Sequence, residues 1–105
     1  MEQPNLDYFE KLSNNNLNFK QKLIDVIKYE FPMELSSYYN LIQKDNLKAV
    51  SEFVHKLKNK IGVFGMENGY QIAETYEHNL REGNKKLQAE FEAVINQIKE
   101  FIDQL

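Results

Sequence analysis

The chain has 105 residues, 42% of them hydrophobic with seven Phe and six Tyr, and a net charge of −3; that is enough for one core and too short for a second domain, so residues 1–105 are expected to form a single domain. The absence of cysteine excludes disulfides, thiolate chemistry and Cys-based metal sites, and suits a reducing compartment, with the cytoplasm as the expectation. The acidic balance argues against a general nucleic-acid binder, and the opening MEQPNLDYFEKL has no continuous apolar run of the kind a signal peptide or membrane span requires.

Apolar residues recur at spacings of three and four throughout, so helices are predicted and no strands. A short helix from Leu6 to Leu12 turns Leu6, Phe9 and Leu12 to one side and stops at the Ser13-Asn14-Asn15-Asn16 run, whose side chains compete for backbone hydrogen bonds. A long helix follows from Leu17 to Gln43, with Phe19, Leu23, Val26 or Ile27, Phe31, Leu35, Tyr38 and Ile42 facing inward. Pro32 predicts a kink near Tyr29 to Phe31, or a restart with Pro32 at the first helical position. Asp45 or Asn46 caps a third helix whose stripe is Leu47, Val50, Val54, Leu57 and Ile61, leading to Phe64, with Gly62 and Gly65 at its weakening end. Asn68 is the expected cap of a fourth helix, with Ile72, Ala73, Tyr76 and Leu80 inward and Gly83 as its stop. Asn84 is expected to start the last, striped by Leu87, Phe91, Val94, Ile98, Phe101 and Leu105, with Ile95 and Ile102 widening the stripe. Four long amphipathic helices with short connections predict an all-α antiparallel four-helix bundle, the short first helix covering one end. Such a bundle closes within one chain, so a monomer is expected.

The third helix carries the residue of most chemical interest. At about 100° per residue its apolar stripe centres roughly 120° from His55, which predicts an imidazole facing water. Ser51, Lys58, Asn59 and Gly62 share that face, with Glu52 at its edge. Lys58 lies about 60° from His55 and one turn on, closer in angle than Lys56 or Lys60, which stand roughly 100° and 140° away. A neutral imidazole nitrogen is a good nucleophile toward an acyl phosphate, and the phosphoramidate formed holds added negative charge that a nearby ammonium stabilises. Phosphoryl transfer depends mainly on positioning and charge neutralisation, with Mg²⁺ held by an acidic cluster. No such cluster accompanies His55, so no cofactor is expected on this chain and Mg²⁺ would come with a partner. From Lys48 to Lys60 four Lys face Glu52 alone, a local positive excess suited to an acidic pocket. Two His without Cys offer no recognisable metal-ligand set, and His78 reads as a solvated surface residue.

His55-Lys56-Leu57-Lys58, followed by Ile61 and Phe64-Gly65-Met66, resembles the signature of the histidine phosphotransfer family, in which His-x-Leu-Lys precedes an apolar-Gly pair ten residues after the histidine. The likeness extends to the opening helix and its Asn-rich turn, the Pro32-containing helix, Asp45-Asn46-Leu47, and Tyr76-Glu77, which sits where the family has an apolar-Glu pair. The resemblance implies a phosphorelay intermediate. His55 would accept a phosphoryl group from a receiver-domain aspartate and pass it to the receiver of another response regulator. Lys58 would contact the phosphoryl group, and there would be no intrinsic kinase activity. It implies response regulator receiver domains and a hybrid sensor histidine kinase as partners, with Ser51, Glu52, Lys56, Asn59 and Gly62 flanking the docking surface. Asn59 and Lys60 stand where the family commonly has Gly and Ser, and Gly69 where it favours an apolar residue, which predicts a loosened start of the fourth helix.

Two other readings use the same residues. The phosphoacceptor domain of a sensor kinase typically follows its histidine with an acidic residue and a Pro-containing run, whereas Lys56 follows here. A non-catalytic helical adaptor, or a degenerate family member that binds receivers without transfer, is the alternative that Asn59 suggests. Met1 and the lack of linker sequence favour a free-standing carrier.

Overall fold

The computed structural model describes residues 2–105. Five helices follow one another: α1 (Asp7–Ser13), α2 (Leu17–Gln43), α3 (Leu47–Val63), α4 (Glu67–Arg81) and α5 (Gln88–Asp103). Among the described residues there is no strand, and no helix is long and apolar enough to cross a membrane. Helices α2 to α5 form the bundle, α3 packing most extensively on α4 and then on α2, while α1 lies against α2.

The turns follow from the residues that occupy them. Asn14 and Asn15 take positive φ (47° and 69°), a conformation Asn adopts more readily than most residues. Asn16 then caps α2, its side chain accepting from the Phe19 N–H at 3.0 Å. Of the two candidate caps for α3, Asp45 takes the left-handed turn (φ 54°) and Asn46 accepts from the Ala49 N–H. Asn68 does not cap α4: it lies within the first turn of a helix that starts at Glu67. The backbone N–H groups of Asn68 and Gly69 are instead taken by the carboxylate of Glu2, both at 2.9 Å. An N-terminal carboxylate thus does the work assigned to a local cap, complementing the positive end of the helix dipole. Nor does Asn84 begin the last helix. Its side chain accepts from the Lys86 N–H, and α5 starts at Gln88 after Leu87, which is held at φ 75°.

Helix α2 runs through Pro32 without ending or restarting. Pro32 is exposed, so the Lys28 carbonyl left without its N–H partner lies on the solvated side. Its inward residues are Ile24, Phe31, Leu35, Tyr38 and Ile42, with Leu23 and Ile27 half-buried. Phe19, expected inside, is exposed, as is Val26, which leaves Ile27 as the inward one of those two alternatives, and Leu12 of α1 and the terminal Leu105 are exposed as well. The cause is the same for the first two: α2 has apolar residues on opposite sides, and periodicity alone does not say which side meets the bundle.

Two aromatic clusters fill the ends of the core. Phe64 packs between Phe9 and Phe101, tilted against the first and edge-on to the second, with ring centroids 5.4 and 5.6 Å away. At the other end Phe91 lies 5.4 Å from Tyr38 and 5.0 Å from Tyr76. Tyr38 donates its O–H to Glu92 at 2.8 Å, which leaves its oxygen to accept from the Tyr76 O–H at 2.8 Å. Burial pushes the Tyr76 hydroxyl up to about 12 and raises that of Tyr38 further. The expected loosening at Gly69 is not found. Gly69 is buried, and a Cβ there would come 2.8 Å from Val94 Cγ1 and 3.1 Å from Ile61 Cγ2, so its lack of a side chain is what lets α4 approach α5.

Candidate functional site

His55 projects from the middle of α3 with its side chain 51% exposed. Its Nδ1 lies 3.2 and 3.3 Å from the two carboxylate oxygens of Glu77 on α4. A carboxylate only accepts, so the hydrogen of the neutral ring belongs on Nδ1 and the lone pair on Nε2, at the opposite edge of the imidazole. Glu77 is itself buried, at 4% exposure. It accepts from Lys58 Nζ at 3.1 Å and meets the guanidinium of Arg81 one turn along α4. One buried carboxylate therefore joins three basic side chains, and its burial is compensated by the charges around it.

Lys58 was expected on the exposed face and is 7% exposed. A helical wheel of α3 registers only α3; here α4 rises beside it, bringing Glu77 to the ammonium and the Tyr70 ring to 5.4 Å from Nζ. The expected solvent exposure of Ser51 is corrected in the same way. Ser51 is buried, and its hydroxyl donates to the Lys48 carbonyl at 2.6 Å, leaving no hydrogen to offer a partner. Glu52, Lys56, Asn59 and Gly62 are exposed. Lys56 lies 4.8 Å from the centroid of the Phe53 ring, and Tyr70 lies over Gly62, 3.2 Å from where a Cβ would stand.

The site is shallow. One depression beside the imidazole is lined by Glu52, His55, Lys56 and Arg81, and another by His55, Lys58, Glu74, Glu77, His78 and Arg81. The excess of lysines counted along α3 is smaller in three dimensions, because Lys60 pairs with Glu34 at 2.9 Å and Glu30 at 3.3 Å and Lys58 with Glu77. Arg81, exposed and on the rim of both depressions, restores a cation that reading α3 alone does not supply. His78 is exposed and lies 3.0 Å from Glu82. Among the described residues no group of three or more His, Asp or Glu could hold a metal ion.

Glu77 and Arg81 are the site residues that sequence reasoning did not single out. A signal existed: Tyr76-Glu77 matches a family position, and Arg81 follows Glu77 at the spacing that returns to the same helix face.

A family model, described as the Hpt domain, matches residues 22–105, and the chain belongs to the Hpt domain family. Membership implies histidine phosphotransfer in two-component signalling, where members of the family interact with response regulator receiver domains and kinases. The match begins inside α2, so the opening helix, included in the resemblance read from sequence, lies outside it. No curated protein and no solved structure matches the chain.

Proposed function

We propose that His55 takes a phosphoryl group from the aspartyl phosphate of one receiver domain and delivers it to the aspartate of another. The observation that carries this reading is an exposed imidazole held at Nδ1 by a buried carboxylate, with its other nitrogen free for attack. In the accepting step the Nε2 lone pair forms the P–N bond while the P–O bond to the receiver's aspartate breaks, and the bonding pair leaves with that carboxylate. The Nδ1 hydrogen stays in place, so the phosphorylated ring carries positive charge. Glu77, hydrogen-bonded to that nitrogen, stabilises it. Lys58 and Arg81 can turn from Glu77 toward the phosphoryl oxygens, where a guanidinium suits two-point contact and an ammonium acts as a point charge. The reverse step regenerates neutral His55. Mg²⁺ would be supplied by the receiver, and this chain would hold no cofactor and contribute no kinase activity.

Glu52, Lys56, Asn59 and Gly62 would form the rim that a receiver meets, with Ser51 packed beneath it. The test is incubation with a phosphorylated receiver, or with acetyl phosphate. The expected product is a base-stable, acid-labile phosphate that is absent from His55→Gln. An adaptor that only docks would bind the receiver and never acquire the label, and that outcome overturns the proposal.

A further inference from the structure

The outer side of α2 carries a row of apolar side chains that the bundle leaves uncovered: Phe19, Val26, Tyr29 and Met33 are each at least 41% exposed. At about 100° per residue they fall within an arc of roughly 80°, nearly opposite the core-facing residues of the same helix. Contiguous exposed apolar surface of this kind marks an interaction site more often than scattered single residues do.

The residues around the row say what would cover it. Lys22 and Glu30 stand four residues on either side of Val26, and Phe19 and Met33 seven on either side. Opposite charges and matching apolar positions are thus balanced about one residue, the pattern that a two-fold axis requires. With two α2 helices antiparallel and Val26 on the axis, Lys22 of each copy meets Glu30 of the other. Phe19 of each meets Met33 of the other, and Tyr29 packs toward Leu23. Lys22 is exposed and makes no ion pair among the described residues, while the Glu30 side chain remains 45% exposed beside Lys60.

We propose that the outer face of α2 is a homodimer surface, two copies pairing antiparallel about Val26. A single helix pair buries on the order of 1,000 Å², the range of weak or transient complexes, so the association depends on concentration. The bundle already closes within one chain, and the second copy adds to a finished fold. No residue of the row lies on α3 or α4, so the pairing uses no side chain of the His55 site.

Sedimentation equilibrium of the full chain, from about 10 µM to about 1 mM, tests this. The mass is expected to rise from 12.5 kDa toward twice that value. Val26→Asp, which sets two carboxylates on the axis, is expected to stay monomeric with unchanged helicity by circular dichroism. Lys22→Glu and Glu30→Lys are each expected to weaken association by about tenfold or more, while an equimolar mixture of the two restores it, since both cross-pairs are then opposite in charge. Because Glu30 also meets Lys60, the fold of Glu30→Lys is checked first, and if it is lost Val26→Asp alone decides. A monomeric mass throughout, a dimer indifferent to Val26→Asp, or failure of the folded charge variants to complement one another overturns the proposal.

Discussion

Glu77 holds His55, Lys58 and Arg81 on one carboxylate, so substitutions in this group are coupled. Glu77→Ala leaves the Lys58 ammonium buried without its counter-charge, and a loss of about 2–4 kcal/mol in urea unfolding is expected. Glu77→Gln keeps an acceptor for Nδ1 while removing the charge opposite the ring. It is expected to retain more stability than Glu77→Ala while slowing transfer in a single-turnover assay. Lys58→Ala removes one of three partners of a carboxylate that keeps the other two, and a smaller cost, roughly 1–2 kcal/mol, is expected together with slower transfer. Leu57, fully buried beside this group, is expected to cost about 2–5 kcal/mol on truncation to Ala. The exposure of His55 was legible because a polar residue opposite a strong apolar stripe has one place to go. The burial of Lys58 and Ser51 was not, since what covers a helix face belongs to another part of the chain.

Among the elements, α3 is the most legible, one apolar stripe and an Asn cap fixing both its extent and its facing, while α4 and α5 also carry single stripes whose facing follows from sequence but whose starts do not. In α2 the extent and the inward Phe31, Leu35, Tyr38 and Ile42 are legible in the sequence, whereas near its start apolar residues on two sides give Phe19 the same claim on the core as Ile24, and it is Ile24 that is buried. The start of α4 was missed because the groups that satisfy its first N–H donors come from Glu2, which no local capping signal announces. At Gly69 the closeness of Val94 makes Gly69→Ala an overpacking substitution, with a loss of about 1–3 kcal/mol expected in urea unfolding. The Tyr38–Tyr76 pair makes a pH prediction. An unfolded chain releases tyrosine protons near pH 10, while the folded chain holds that of Tyr76 until about pH 12 and that of Tyr38 beyond. The folded state then binds more protons than the unfolded one, so the contribution is whole below about pH 10 and is lost as pH climbs through about 12. Circular dichroism at alkaline pH is expected to show Tyr76→Phe with a shallower decline in stability than the parent chain.

At the scale of the molecule, 44 × 25 × 19 Å, the segment before α1 ties together elements far apart in sequence. Asn5 donates its backbone N–H to the Phe64 carbonyl at 2.8 Å, its side chain lies against Gly65, Glu2 meets the start of α4, and the Glu2 carbonyl accepts from Gln97 of α5. These residues precede the region matched by the family model, which begins at residue 22, and they form a strap that joins the end of α3 to the start of α4 and to α5. Glu2→Ala is expected to cost about 1 kcal/mol, as the loss of an N-cap does, measured by thermal unfolding. Because two of the strap's anchors are backbone amides, its attachment can be read by hydrogen exchange. The Asn68 and Gly69 amide hydrogens depend for protection on Glu2, near the start of the chain, and they should exchange with solvent deuterium as fast as that segment lifts, ahead of the rest of α4.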